Sequence, residues 1–249
     1  MRRLWIADVH ANLPAFEAVL RDAETVDEIV YLGDIVGYGP HPSACIDLLE
    51  HLQAKAVLGN HDASVLALGR RAAQYSCPVN WDEWTHDQLN DSQLSYLAAL
   101  PTELEIVSCG AKVKAMHQPP GAPYLHPAMP DYVLAEHLQA VSCAAIFCGH
   151  SHRRIDRTIA GRRFVCIPPV GQPRNRDPRA GYAIERDGRL EFGFVRYDIE
   201  RVVVDVQGIG LKKEFCQRWI NFLRTGFDTE WSHEYEHDGV QNQGIPPTS

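Results

Sequence analysis

With 249 residues, 45% of them hydrophobic and 22% charged, the chain has the make-up of one large globular domain that buries its core without covalent staples. A formal charge of -8 argues against a general nucleic-acid binder, which would carry a basic face, and no apolar run is long enough to span a bilayer. The seven cysteines are irregularly spaced, form no CxxC pair and lie partly inside apolar runs; they read as small buried hydrophobes of a reduced, cytoplasmic compartment.

Met1-Arg2-Arg3 leads straight into a short strand-like run, so no signal peptide is expected. That run, Leu4-Trp5-Ile6-Ala7, ends in Asp8-Val9-His10. Asn12 then caps a helix with Pro14 in its first turn and Phe16, Val19 and Leu20 as its apolar stripe. A second run, Glu28-Ile29-Val30-Tyr31-Leu32, ends in Gly33-Asp34, followed by a Gly37-Tyr38-Gly39-Pro40 loop and a helix over 43–52. The third, Ala54-Lys55-Ala56-Val57, runs into Leu58-Gly59-Asn60-His61-Asp62 and another helical stretch. Gly59 is expected there because a residue without Cβ leaves φ unrestricted at a sharp strand exit. Strand and helix alternating at such short intervals imply βαβ units and a largely parallel sheet.

Two short helices are expected over 80–88 and 91–100, the second capped by Asp91 and stopped by Pro101, with Trp81 and Trp84 packing on the body. The runs 104–107 and 112–116, split by Cys109-Gly110, read as a hairpin whose second strand ends in His117. A Pro/Gly-rich loop over 118–130 and a helix over 131–140 follow. The run Ala144-Ala145-Ile146-Phe147-Cys148 ends in Gly149-His150-Ser151-His152, and a second hairpin, 155–159 with 163–167, turns at Gly161. The loop 168–179 holds Gly171-Gln172-Pro173-Arg174. Strands over 181–185 and 190–197 and helices over 199–207 and 211–223 complete an ordered domain of residues 1–226. Residues 227–249 are polar, with Gly239, Gly244 and Pro246-Pro247, and form an expected flexible tail.

Five apolar runs thus end in Asp8/His10, Asp34, Asn60/His61, His117 and His150/His152. In open α/β sheets, ligands bind outside the carboxyl ends of the strands, where groups distant in sequence converge. Asp/Asn oxygens with imidazoles and no thiolate suit a pair of manganese, iron or zinc ions better than calcium or one structural zinc. A pair of ions roughly 3.5–4 Å apart needs a shared ligand, and Asp34 stands alone at its strand end as the carboxylate to supply it. Two such ions would lower the pKa of a shared water, give a hydroxide to attack phosphorus near neutral pH, and hold the phosphate oxygens.

Taken together, Asp8-Val9-His10, Gly33-Asp34, Gly59-Asn60-His61-Asp62, His117 and Gly149-His150-Ser151-His152 resemble the motif set of the calcineurin-like metallophosphoesterase superfamily, in its order, over the first 152 residues. The stretches 33–40 and Val170-Gly171-Gln172-Pro173-Arg174 look like its small bacterial and archaeal phosphodiesterase branch. The resemblance implies a four-layer α/β/β/α sandwich and a binuclear phosphodiesterase or phosphomonoesterase. It implies one metal on Asp8, His10, Asp34 and His152, and a second on Asp34, Asn60, His117 and His150. His61 would be the general acid, with Asp62 orienting it. The ions would be divalent transition metals, manganese foremost, with iron, zinc or nickel as the others. The partner would be a small phosphate ester, nucleic acid entering only as a substrate and no membrane being involved.

Three departures from the family pattern line the expected mouth of the site and bear on the substrate: Ala11 for a Gly, Gln118-Pro119-Pro120 for Gly-Ser-Pro, and Pro168-Pro169 for Gly-Ser. Gly37-Tyr38-Gly39 stands where protein phosphatases and dinucleoside-polyphosphate hydrolases have Asp-Arg-Gly. The alternative is a non-catalytic metal-binding scaffold on the same fold, like the retromer subunit that resembles this family. Such scaffolds tend to lose ligands or the acid, whereas all stand here. A metallo-β-lactamase-like hydrolase would want a His-x-His-x-Asp-His run, which the chain lacks.

Overall fold

Alternating side chains along the first strand fix which layers meet. In β1 (Arg2–Ile6), Leu4 and Ile6 enter one apolar cluster, while Trp5 and the following Ala7 enter another. A strand covered on both faces must read this way, since successive side chains point to opposite sides. The computed structural model describes residues 1–68, 81–122 and 124–227.

β1 runs parallel to β2 (Glu28–Tyr31), pairing Leu4 with Ile29 and Ile6 with Tyr31, and β3 (Lys55–Ala56) extends the parallel set. On its other side β1 meets β9 (Ala180–Arg186), which pairs with β10 (Arg189–Val195), both junctions antiparallel. The second sheet holds β4 (Glu103–Ser108), β5 (Ala111–Met116), β6 (Ala145–Cys148), β7 (Ile155–Ile159) and β8 (Arg162–Cys166). The strand orders are β10-β9-β1-β2-β3 and β4-β5-β6-β8-β7, so the expected largely parallel sheet is in fact two mixed five-stranded sheets. Each keeps a parallel trio: β1, β2 and β3 on one side of the first sheet, and β5, β6 and β8 in the middle of the second.

Trp5, Val30, Leu32 and Val57 from the first sheet and Val113, Ala115, Phe147 and Val165 from the second form the core between the sheets. The outer face of the first sheet is covered by α1 (Leu13–Asp22), α2 (Pro42–His51), α3 (Asn60–Leu68) and α5 (Asp91–Ala99). Phe16, Ile46, Val65 and Leu97 are their buried contributions. α6 (Asp131–Gln139) covers the second sheet, with Leu134 and Leu138 against Ile146 and Phe164. The layers are therefore α/β/β/α. A satellite cluster joins α4 (Trp81–Asp87) to α7 (Ile199–Gln207) and α8 (Lys213–Thr225), with Trp81 and Trp84 packed among Val202, Val206 and Trp219.

The helix starts follow their caps. The Asn12 side chain accepts the Ala15 N–H, as the sequence leads one to expect. α5 is capped by Asn90 and not by Asp91: Asn90 accepts the Gln93 N–H at 3.0 Å and Gln93 accepts the Asn90 N–H at 3.1 Å. This reciprocal pair needs an amide three residues on from the cap, which only the Asn90 register provides. Far from the strand exits, buried Arg3 ties the sheets together. It donates to Glu28 and Glu185 of the first sheet and to the Val107 carbonyl of the second. Glu185 in turn accepts from the Ser108 hydroxyl and the Cys109 N–H.

No helix among the described residues is long and apolar enough to cross a membrane. The expected tail after Phe227, Cys77 and the first residue of the expected 80–88 helix lie outside the described residues.

Candidate metal centre

The parallel trios of both sheets end at the same place, so the loops that leave them meet. Asp8 N–H bonds the Gly33 carbonyl, His10 N–H the Asp34 carbonyl, Gly149 N–H the His117 carbonyl, and Gly171 N–H the Asp8 carbonyl. These crossing bonds hold the exits in unusual backbone conformations. Asp8, His10, Asp34, His150 and His152 all have positive φ, between 47° and 67°. For residues with a Cβ this costs on the order of 1–3 kcal/mol each, and it persists only where surrounding contacts dictate it. Strain of this kind, repeated on one side of the molecule, marks a site.

Gly59 serves a different purpose from the one expected. Its φ is not in the left-handed region; a Cβ there would lie 2.1 Å from Asp34 Oδ1 and 2.2 Å from Asp34 N. The glycine lets the β3 exit press against the β2 exit.

Two groups of ligand-type atoms result, each within 4.8 Å: Asp8, His10, Asp34 and His152, and Asp34, His117 and His150. All six of these side chains are buried. Asn60 joins the second group, its Oδ1 being 2.9 Å from both His117 Nε2 and His150 Nδ1. Asp34 is common to both, through a single oxygen: Oδ1 accepts the His61 N–H at 2.8 Å, while Oδ2 lies 3.7 Å from His10 Nε2 and 3.2 Å from His117 Nε2.

The electrostatics ask for a cation. His10, His117 and His152 each direct Nδ1 at a backbone carbonyl, of Val36, Leu32 and Gln172 respectively. A carbonyl only accepts, so each Nδ1 carries the hydrogen and each Nε2 turns inward. Burial pushes His10 down to about 3 and His152 well below the usual range, so both are neutral rings with inward lone pairs. Yet their Nε2 atoms are 3.1 Å apart, beside Asp8 Oδ1 and Asp34 Oδ2. Such a cluster of acceptors is repulsive unless a positive centre sits among them.

The remaining groups agree. Asp8 Oδ2 is buried without a hydrogen-bond partner, and burial lifts the Asp8 carboxyl to about 7. Burial likewise holds His150 at about 3. Burial would lower His117 too, but the charges of Asp34 and Asp8 outweigh it and raise His117 to about 10, a proton that a bound cation would displace. The donors present therefore fit divalent metal ions with mixed oxygen and nitrogen ligation.

Asp62 does not meet His61 as expected. It is fully buried and accepts three backbone N–H groups: Asp34 at 2.9 Å, Val36 at 3.1 Å and Gly59 at 2.9 Å. In the first turn of α3, its side chain reaches back to staple the two strand exits, as a carboxylate at a helix start favours. The carboxylate at the His61 ring is Asp82, with Oδ1 3.2 Å from Nδ1. Asp82 lies 21 residues downstream on α4, and no spacing in the sequence announces it.

Other groups also went unassigned by sequence. Tyr38 packs beside His61 and His10, at ring separations of 4.6 and 5.2 Å. Tyr124 stacks on His150 at 4.6 Å, and the Arg174 guanidinium lies 4.8 Å over Tyr124. Arg174 closes the Gly-Gln-Pro-Arg loop, the one sequence signal that pointed to it. Together these give the site an aromatic and cationic margin.

Known proteins bear on the same arrangement. A model of the Calcineurin-like phosphoesterase family matches residues 1–154, the segment that holds every candidate metal-binding position. The protein MJ0912 of Methanocaldococcus jannaschii is 32% identical over 219 residues, 79% of this chain and 88% of that protein. A crystal structure of a metallophosphoesterase from Sphaerobacter thermophilus superposes with a TM-score of 0.76 at 33% identity, covering 91% of this chain and 99% of that one. PH1004 from Pyrococcus horikoshii OT3 shares the fold, with a TM-score of 0.80 at 20% identity and the same coverage. With the family match spanning more than half of the sequence and the buried histidines and carboxylates gathered where its strands end, this chain belongs to the calcineurin-like phosphoesterase family.

Proposed function

We propose that the protein is a binuclear metal-dependent hydrolase of small phosphate esters, acting on phosphodiesters or phosphomonoesters. The observation that carries this reading is the pair of buried groups of ligand-type atoms that share Asp34, whose Oδ2 faces His10 and His117. Asp8, His10, Asp34 and His152 would hold one cation, and Asp34, Asn60, His117 and His150 the other, with manganese the foremost choice. Such cations, when bound, supply Lewis acidity toward phosphate oxygens and activate water.

The chain's own residues do the rest. The carbonyls of Val36, Leu32 and Gln172 hold three imidazoles in the tautomer that turns Nε2 inward. Asp62 keeps the β2 and β3 exits together. His61, beside the groups but outside both, is the proton donor to the leaving oxygen. Its backbone N–H is anchored on Asp34 Oδ1 at 2.8 Å, which ties the acid to the shared carboxylate. Burial would make it less basic, but the Asp82 hydrogen bond and the Asp34 charge outweigh this and raise it, in keeping with a ring that holds a proton to give. The six cysteines among the described residues are all free thiols, in keeping with a reduced, cytoplasmic setting.

The test is His61→Ala in protein reconstituted with manganese. Metal content should stay at about two ions per chain, as a two-metal site requires. Hydrolysis of a diester with a poor alkoxide leaving group should fall by about 10²–10⁴. With p-nitrophenolate, which departs without a proton, the loss should be much smaller. Loss of a metal would make His61 a ligand, and a wild-type protein that binds cations without turning over either ester would be the scaffold instead.

A further inference from the structure

The acid is held at both ends by different parts of the chain. Its backbone is fixed by Asp34, at the β2 exit. Its ring is met at Nδ1 by Asp82, in the first turn of α4, at 3.2 Å. Both side chains are partly shielded, with 16% exposure for His61 and 23% for Asp82. Gly37 leaves the space this requires, since a Cβ there would approach His61 Nδ1 and Cβ to 3.0 Å. On the remaining sides the ring packs against Tyr38 and edge-on against His10.

α4 packs against α3 and also against the last two helices. Trp81 lies 5.7 Å from Trp219 of α8, and Trp81 and Trp84 are buried among Val202, Val203 and Val206 of α7. Asp82 thus enters the site on a helix held between α3, which starts at the β3 exit, and the α7–α8 pair.

We propose that Asp82 is the positioning residue for His61, and that the two act as one unit. This rests on the reading of His61 as the proton donor. Asp82 accepts the Nδ1–H, which fixes the tautomer, turns Nε2 toward the leaving group and stabilises the imidazolium before transfer. As water forms its bond to phosphorus, the bond to the leaving oxygen breaks and its electron pair goes to that oxygen, which takes the Nε2 proton. The proton released by the attacking water restores the imidazolium.

The experiment compares Asp82→Asn, Asp82→Ala, His61→Ala and the double variant His61→Ala/Asp82→Asn, each loaded with manganese and checked for metal content and melting temperature. The same ester pair is used, one with an alkoxide and one with p-nitrophenolate as leaving group. Asp82→Asn should lower kcat on the alkoxide ester by at least about 10–100-fold, the scale of losing a partner that orients a metal-bound histidine. It should scarcely change the p-nitrophenyl ester, and the double variant should lose no more than His61→Ala. Nitrogen NMR on zinc-loaded protein, at a pH where the His61 ring is neutral, should find its hydrogen on Nδ1 in wild type and a mixture of tautomers in Asp82→Ala. Equal losses on both esters, additive losses in the double variant, or an unchanged tautomer in Asp82→Ala would overturn the proposal. Indifference of His61→Ala itself to the leaving group would instead overturn the role of His61.

Discussion

The close approach of the β2 and β3 exits at Gly59 is also a weakness of the site. Replacing Gly59 by Ala puts a methyl carbon 2.1 Å from Asp34 Oδ1, 2.2 Å from Asp34 N and 2.8 Å from Asp34 Cγ. Ordinary non-bonded contact begins near 3.5 Å, so the two exits must separate by roughly 1 Å or more. No flexible side-chain end is available to yield, because the clash is with the backbone and carboxylate of the shared residue. Overpacking of this sort costs about 1–3 kcal/mol, and a domain of this length loses roughly 2–4 °C per kcal/mol, so the melting temperature should fall by about 2–12 °C. The displacement would also break the 2.8 Å bond from the His61 N–H to Asp34 Oδ1. Misplacing catalytic groups by an ångström can cost about 10²-fold in rate, and Asp34 serves both atom groups. Gly59→Ala should therefore lose affinity for both cations and at least that much activity. Gly208→Ala is the control: a Cβ there meets only the Asp205 carbonyl, at an ordinary 3.4 Å. The assay is a manganese titration by calorimetry with melting curves of metal-free and loaded protein. A Gly59→Ala protein that binds two ions with wild-type affinity would show that the approach of the two exits is not what shapes the site.

Asp34→Asn should weaken both cation sites, since Oδ2 faces His10 and His117 alike, whereas Asn60→Ala should weaken only the site that includes His117 and His150; metal stoichiometry after a desalting column distinguishes these outcomes. Acid should loosen the far end of the sheets. Burial would raise Glu28 and Glu185, but bonds from Lys55 and Arg3 to the first, and from Cys109, Ser108 and Arg3 to the second, outweigh it and hold both below the ordinary 4.5. A depressed carboxylate stabilises the fold above its unfolded pKa and loses that contribution as pH falls through the folded value. Melting temperature should thus drop below about pH 4.5, less steeply in Glu185→Gln than in wild type, and an equal slope in the two proteins would remove Glu185 from the acid transition.

Much of the architecture is local, and so it was open to reading along the chain. The apolar runs ending in Asp8, Asp34, Asn60, His117 and His150 became strands or strand ends because alternating burial and short spacing leave few other foldings. The polar residues placed after those runs converge for the same reason, parallel strands bringing their carboxyl ends to one edge. What the chain order could not contain are contacts between exits. That Asp62 turns back to the amides of Asp34, Val36 and Gly59, that Gly59 matters for the nearness of Asp34 and not for its φ, and that one oxygen of Asp34 faces both groups all depend on how two loops press together. Asp82 lies beyond sequence altogether, carried to His61 by a helix that Trp219, near the other end of the chain, helps to hold in place. Hydrophobic periodicity and strand order act over a few residues and can be seen in one dimension, but the aim of a buried side chain is decided by whichever neighbour the finished packing brings within about 3 Å, the reach of a hydrogen bond.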